Sequence, residues 1–296
     1  MLPVIPARPD RAWFGVVCMI GAVLGFSISA AMTKWLARDY SISQLMFTRS
    51  ALCMIFVLAV AYTQGQRTIW RTQRIGAHAV RAIFGLTGMT GIYVCYWLLP
   101  ITDATAINLS APIFATALSV PLLREVVGIR RWAAVFVGFI GVLVMVRPGT
   151  EAFEPTYLIA IATAAIAGLV ANTIRQIGRT EGSMTIVFYF MAFSTIATAP
   201  TLLFNWRTPD LVDLGLLLAF GIAGTAGQIL MTHAYSSAPV SVVAPLEYTA
   251  LPWAAIIGFA VWGEVLTVWT LVGSALVIAS GLYILHRESI RNRVTI

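Results

Sequence analysis

Apolar residues in this chain run in long blocks separated by short polar gaps. The blocks fall at 13–36, 45–63, 76–98, 103–123, 130–146, 156–175, 183–204, 211–235, 240–261 and 267–285. Most of them match the roughly 20 residues with which an α-helix crosses a hydrocarbon core of about 30 Å, and interfacial flanks extend the shorter ones. Lipid offers no partner to a backbone N–H or C=O, so the chain must be helical there. The pattern therefore predicts an all-α integral membrane protein of ten transmembrane helices, with no room for a soluble domain. The block that begins at Trp13 is too long for the core of a signal peptide and lacks an A-x-A end, which predicts a retained span.

Charge orients the spans. With the N-terminus inside, the cytoplasmic segments carry thirteen of the nineteen basic residues: Arg8, Arg11, Arg67, Arg71, Arg74, Arg124, Arg130, Arg131, Arg175, Arg179, Arg287, Arg291 and Arg293. The opposite side carries Lys34, Arg38, Arg147 and Arg207, while Arg49 and Arg81 fall within spans. This positive-inside split predicts two cytoplasmic termini and agrees with an even number of spans. A bacterial inner membrane, crossed many times, is the expected location.

The second half of the chain repeats the first. A shift of 139 residues lays Gly85 and Gly88 on Gly224 and Gly227, Tyr96 on Tyr235, Pro100 on Pro239, Glu125 on Glu264, and Asn108 on Glu247. The earlier spans need a slightly larger shift, after which Phe47 and Ala51 meet Phe188 and Ala192. The expected units are thus residues 1–147 and 156–296. Each holds five spans, an odd number, so the two repeats are predicted to be inverted, a recurrent construction among secondary transporters.

Composition supports the choice of solvent and removes other classes. The chain is 59% hydrophobic and 10% charged, against about 25% charged in a soluble domain. Its net charge of +7 is spread over short gaps with no basic stripe bearing interleaved aromatics, which argues against nucleic acid. Cys18, Cys53 and Cys95 lie inside apolar blocks at no metal-ligand spacing. No nucleotide-binding loop, catalytic carboxylate pair or nucleophile elbow is visible, so neither a cofactor, a catalytic residue nor an ATP-driven cycle is expected.

Polar groups inside spans are the candidate chemistry, because an ionisable group there costs at least about 2.5–3.5 kcal/mol. Glu247 lies about 10 Å into its span, between Pro245 and Tyr248. It either exchanges a proton, pairs with a cationic group of a substrate, or braces helices. Asn108, its repeat mate, donates and accepts; it either meets the same central ligand or makes an interhelical hydrogen bond. Arg49 either binds a carboxylate or phosphate, offsets a cavity acid, or snorkels to headgroups. Snorkelling is the expectation for Arg81, interfacial anchoring for Lys34, and solvation for Asp103.

Tyr93, Tyr96 and Trp97 form either an aromatic belt or the wall of a planar ligand site. Tyr248 is deeper and placed to stack on a ligand. Asn172, Gln228 and His233 are further candidates for cavity lining, and His78 sits at the membrane edge with no expected role. The spaced glycines permit close helix approach. Pro112, Pro121, Pro200, Pro245 and Pro252 are expected to kink helices and to free carbonyls near a cavity. Glu125 and Glu264, at the ends of repeat-related spans, are expected to form structural or gating pairs.

These residues resemble a known family. Glu125 followed by Gly138, Gly141 and Arg147-Pro148-Gly149, and Pro245-Leu246-Glu247-Tyr248 followed by Trp262-Gly263-Glu264, are similar to EamA-type repeats of the drug/metabolite transporter superfamily. The resemblance covers nearly the whole chain. It implies a ten-helix secondary carrier working by alternating access. It also implies a small-molecule substrate such as an amino acid, S-adenosylmethionine or riboflavin, in either direction. Coupling to protons or to exchange stays open, as does a homodimer. The rival reading is a non-transporting membrane scaffold or enzyme.

Overall fold

The computed structural model describes residues 12–294 apart from 64, 66–68, 124–126, 179, 238 and 239. The described residues are helical with short connections and contain no strand. The first three helices are α1 (Ala12–Leu36), α2 (Ile42–Thr63) and α3 (Ile75–Leu98), followed by α4 (Ile101–Asn108), α5 (Ala111–Leu123) and α6 (Ile129–Val146). The second half holds α7 (Thr156–Ile177), α8 (Ser183–Thr198), the short α9 (Leu202–Asn205) and α10 (Leu211–Ser237). It ends in α11 (Val240–Val243), a 3-10 segment Ala244–Thr249, α12 (Ala250–Trp262) and α13 (Val268–Val294).

Among the described residues, ten stretches are long and apolar enough to cross a membrane. Three of them are composite: α4 with α5 forms the fourth, α8 with the 3-10 turn Ala199–Thr201 and α9 the seventh, and Ala244–Trp262 the ninth. Large apolar side chains such as Phe136, Ile196, Leu203 and Phe259 are exposed on the outside. On a soluble monomer such patches would be a liability, whereas in lipid they match the solvent.

Hydrogen bonds sort the connections into two ends. At one end Gln44 Nε2 donates to the Arg207 carbonyl at 2.8 Å, and Arg207 forms an ion pair with Asp39 at 2.7 Å. The Tyr40 hydroxyl donates there to Asp213, and burial beside that carboxylate pushes the phenol up to about 12. At the other end Thr72 donates to Glu181 at 2.7 Å, Arg74 to Thr180 at 3.1 Å, and Tyr189 to the Trp70 carbonyl at 2.6 Å. Arg8, Arg11, Arg67, Arg124, Arg179, Pro239 and Glu125 lie outside the described residues.

Helix boundaries repeat along the chain. A shift of 139 residues carries α5 onto α12 at both ends, the starts of α4 and α6 onto those of α11 and α13, and the end of α3 onto that of α10. A shift of 141 carries the end of α1 onto that of α7 and the start of α2 onto that of α8. Packing follows the same exchange. Helix α1 lies along α10 as α3 lies along α7, while α2 with α8 and α6 with α13 are pairs that the exchange returns to themselves. Glycines set the closest crossings: a Cβ on Gly25 would stand 3.0 Å from the Ala223 carbonyl, and one on Gly141 2.7 Å from that of Gly273.

Candidate functional site

The fourth and ninth spans lose α-helical geometry at matching places. Helix α4 stops at Asn108, Leu109 and Ser110 form a turn, and α5 begins at Ala111. In the ninth span a 3-10 segment holding Glu247 gives way to α12 at Ala250. Proline explains the interruption. Pro112 has no N–H to offer the carbonyl of Asn108, and Pro252 has none for Tyr248. A short side-chain bond braces each break in the same way. Ser110 Oγ donates to the Ile107 carbonyl at 2.6 Å, and Thr249 Oγ1 donates to the Leu246 carbonyl at 2.6 Å. The second bond is the first carried forward by 139 positions.

Two cavities meet at these breaks. One, of about 360 Å³, is lined by Thr33, Arg49, Tyr93, Tyr96, Asn108 and Glu247 among others, and extends toward the end that holds Arg207. The other, of about 420 Å³, is lined by Asn108, Glu247, Tyr248, Asn172, Ser119 and Arg131, and extends toward the opposite end. Asn108, Leu109 and Glu247 belong to both walls. Both volumes fall within the range of small-molecule sites.

Arg49 turns its guanidinium inward instead of snorkelling. Its Nη1 donates to the Tyr93 hydroxyl at 3.4 Å and approaches Met89 Sδ at 3.6 Å. Gly224 gives it room, since a Cβ there would stand 2.8 Å from Arg49 Nε. Asn172 is buried and spends a donor on the Ala115 carbonyl at 2.9 Å, fixing α7 to α5 beside the second cavity. The Tyr248 hydroxyl is buried without a hydrogen-bond partner and presses on Gly281 of α13, where any Cβ would overlap it.

A polar tie closes the Arg207 end next to the first cavity. Lys34 forms an ion pair with Glu264 and also donates to the Leu99 carbonyl at 2.7 Å. The other Glu264 oxygen accepts the backbone N–H of Ile101 at 2.8 Å, at the N-terminus of α4, where a negative charge is favoured. Only 12% of the Lys34 side chain and 15% of the Glu264 side chain is exposed. Asp103 lies close by and accepts from Tyr157 at 2.9 Å and from Thr270 at 2.7 Å. Lys34 and Asp103 are therefore bonded to protein, not spent on headgroups or water.

Other candidates fall elsewhere. His233 is exposed and Gln228 half-buried on α10, and neither lines the two cavities. Among the described residues Met231 reaches the first cavity from α10, and two positions along a helix turn a side chain by about 200°. Trp97 is exposed, which suits an aromatic belt. Arg81 is buried, against the expectation that it snorkels, and His78 is buried too. The Arg81 guanidinium lies 3.7 Å from the centre of the Phe190 ring, and His78 stacks on Tyr189 at 4.6 Å.

Ten apolar helices around a polar interior, divided at two broken spans, define a multi-pass membrane transporter of small molecules. The model of the EamA-like transporter family matches residues 13–147 and again 155–285, and the chain belongs to that family. It is similar to an S-adenosylmethionine uptake transporter of Rickettsia bellii, with 26% identity over 274 residues that cover 93% of this chain and 94% of the relative. A riboflavin transporter of Vibrio cholerae is 25% identical over 94% of this chain and 95% of its own length. A pseudopaline exporter of Pseudomonas aeruginosa is 25% identical over 90% and 94% respectively. A solved protein structure superposes with a TM-score of 0.63 at 15% identity, covering 94% of this chain and 98% of its own, which shows the shared fold. The protein is a metabolite transporter, not an enzyme.

Proposed function

We propose that this chain is a secondary active transporter. It carries a small polar or amphiphilic metabolite, of the amino-acid, S-adenosylmethionine-like or riboflavin-like kind, across the bacterial inner membrane by alternating access. The observation that carries the reading is the meeting of two cavities at Asn108 and Glu247, on two spans broken at equivalent places. Discontinuous spans from paired repeats are how many carriers build a midplane site.

Two five-helix repeats of inverted orientation, residues 1–147 and 156–296, account for the recurring helix bounds and for the exchange of α1/α10 with α3/α7. The excess of basic residues puts both termini and the Arg74 end in the cytoplasm and the Lys34 end outside. Breaking the tie of Lys34 with Glu264 opens the outer path, and rocking of one repeat against the other moves the barrier from one side of Asn108 and Glu247 to the other. Those two residues, with Tyr248, Arg49, Tyr96 and Asn172, contact the substrate. Glu247 is also the group that takes part in proton coupling.

Purified protein in proteoliposomes tests this with radiolabelled S-adenosylmethionine, riboflavin and a set of amino acids. Saturable uptake, accelerated by the same solute trapped inside, is the expected result. A proton gradient is expected to drive it in the wild type and to lose its effect in Glu247→Gln. Absence of saturable flux for every solute overturns the transporter mechanism, and an equal gradient response in the variant removes the proton role alone.

A further inference from the structure

Arg81 is buried on α3, yet nothing around it answers its charge. Among the described residues its Nε and Nη1 have no hydrogen-bond partner, and no carboxylate forms an ion pair with it. Snorkelling would send the side chain back toward the Arg74 end, which is also the direction helical side chains take by default. It runs the other way. Nη1 occupies the space that a Cβ on Gly85 would fill, one turn deeper in the membrane, and the Phe190 ring covers the guanidinium at 3.7 Å. His78, Arg81, Gly85, Met89, Ile92 and Tyr96 recur at spacings of three and four, so they share one face of α3. Ile92 and Tyr96 line the first cavity and Met89 meets Arg49. Arg81 stands on the continuation of that wall, its Cα about 12 Å along the helix from that of Met89.

The repeat sets a guanidinium at matching points in the two halves. Gly85 and Gly224 are related by the shift of 139 residues, and an arginine lies against each: a Cβ on Gly224 would stand 2.8 Å from Arg49 Nε. The arginines themselves are not repeat mates, since Arg49 answers to Phe190 and Arg81 to Phe220. Two unrelated positions thus bring the same group to equivalent glycines, a match that duplication of the sequence does not produce. Arg49 opens onto a cavity, whereas Arg81 is shut beneath Phe190. Resting on the transporter reading above, we infer that Arg81 is an anion-holding group of the transport path on the Arg74 side, uncovered when Phe190 moves aside, and that the carboxylate or phosphate of a solute passes between it and Arg49. A guanidinium without an acceptor inside a span is costly. An anion arriving in the other state of the cycle supplies that acceptor and accepts two parallel bonds.

A charge-selective thiol assay tests this without a known solute. His78→Cys is placed in a Cys18→Ala, Cys53→Ala, Cys95→Ala background, with Ala82→Cys as a second buried reporter beside Arg81. Anionic and cationic methanethiosulfonates are added to inside-out vesicles, which present the Arg74 end. The anionic reagent is expected to be favoured about tenfold over its ratio at a free thiol. Arg81→Gln is expected to remove that preference, Arg81→Lys to retain it, and Phe190→Leu to speed both reagents. Inorganic phosphate, compared with sodium chloride of equal ionic strength, is expected to slow the reaction only where Arg81 is intact. No reaction from that face at either reporter overturns the inference, as does a preference that Arg81→Gln leaves unchanged. Slowing by phosphatidylglycerol in the vesicle, with no effect of phosphate, assigns the group to a lipid headgroup and overturns it too. Saturable flux in the proteoliposome assay alongside any of these failures leaves the transporter reading intact, so the two are distinguishable.

Discussion

Lys34 and Glu264 are 230 residues apart in sequence and share a buried ion pair that stitches α1, the start of α4 and the turn before α13 together. Glu264 uses both oxygens, one on the ammonium and one on the Ile101 N–H, so its loss strands two partners at once. Breaking such a pair costs about 3–5 kcal/mol when fully buried, and its slight exposure brings the expectation nearer about 2 kcal/mol. Glu264→Gln is expected to lower the thermal midpoint in detergent. It should also raise labelling of a cysteine introduced at Thr33, a wall residue of the first cavity. Unchanged labelling would mean that the tie holds the fold together without guarding the path.

The Tyr248 hydroxyl gives a separable test of function against stability. It is buried and unbonded, and an unsatisfied polar group costs about 1–3 kcal/mol. Tyr248→Phe is thus expected to leave the midpoint unchanged or to raise it. If the hydroxyl bonds the substrate, uptake falls about tenfold in the same variant. A fall in both stability and uptake would point to a structural partner instead.

Glycines at helix crossings should answer very differently from those facing open space. A side chain on Gly25 meets the Ala223 carbonyl and the Gly227 backbone, neither of which can rotate away. Gly25→Val is expected to part α1 from α10 and to destabilise by about 1–3 kcal/mol. Gly76 and Gly215 lie within helices, and no neighbouring atom stands within 4 Å of where a Cβ would sit. Gly76→Ala and Gly215→Ala are expected to stabilise by about 0.5–1 kcal/mol through helix propensity. Chemical or thermal unfolding of the three variants side by side checks the order.

Asn108 is half-buried and faces both cavities, so Asn108→Leu removes polarity from the place where they meet without a demand on the surrounding packing. Uptake is expected to fall at least about tenfold while the elution profile and thermal midpoint stay close to wild type. If uptake survives, the substrate passes without touching the break in the fourth span.

Hydropathy made the ten helices legible, and proline marked where the fourth and ninth would fail. The repeat of 139 positions singled out Asn108 and Glu247 because an unlike polar pair in matching apolar spans is conspicuous. What the sequence could not show was the direction in which each side chain faces around its helix. In water, an apolar stripe points to the core; in lipid, both the buried and the outer faces are apolar, and that cue is lost. Lys34 and Arg81 illustrate the consequence. Their depth was readable, but whether they reached for headgroups or for a neighbouring helix depended on partners such as Glu264 and Phe190, far away in the chain. For the same reason the sequence did not show that His233 is turned about 200° around α10 from Met231.

The helix bounds recur, yet the side chains set on them do not. By the same shifts Arg49 corresponds to Phe190, Arg81 to Phe220, and Asn108 to Glu247. A carrier built this way shows each side of the bilayer the same shape with different chemistry. Its half-saturation concentrations, measured from the two faces, will therefore be unequal, and the direction in which it works best at a given solute level becomes a property of those few mismatched positions.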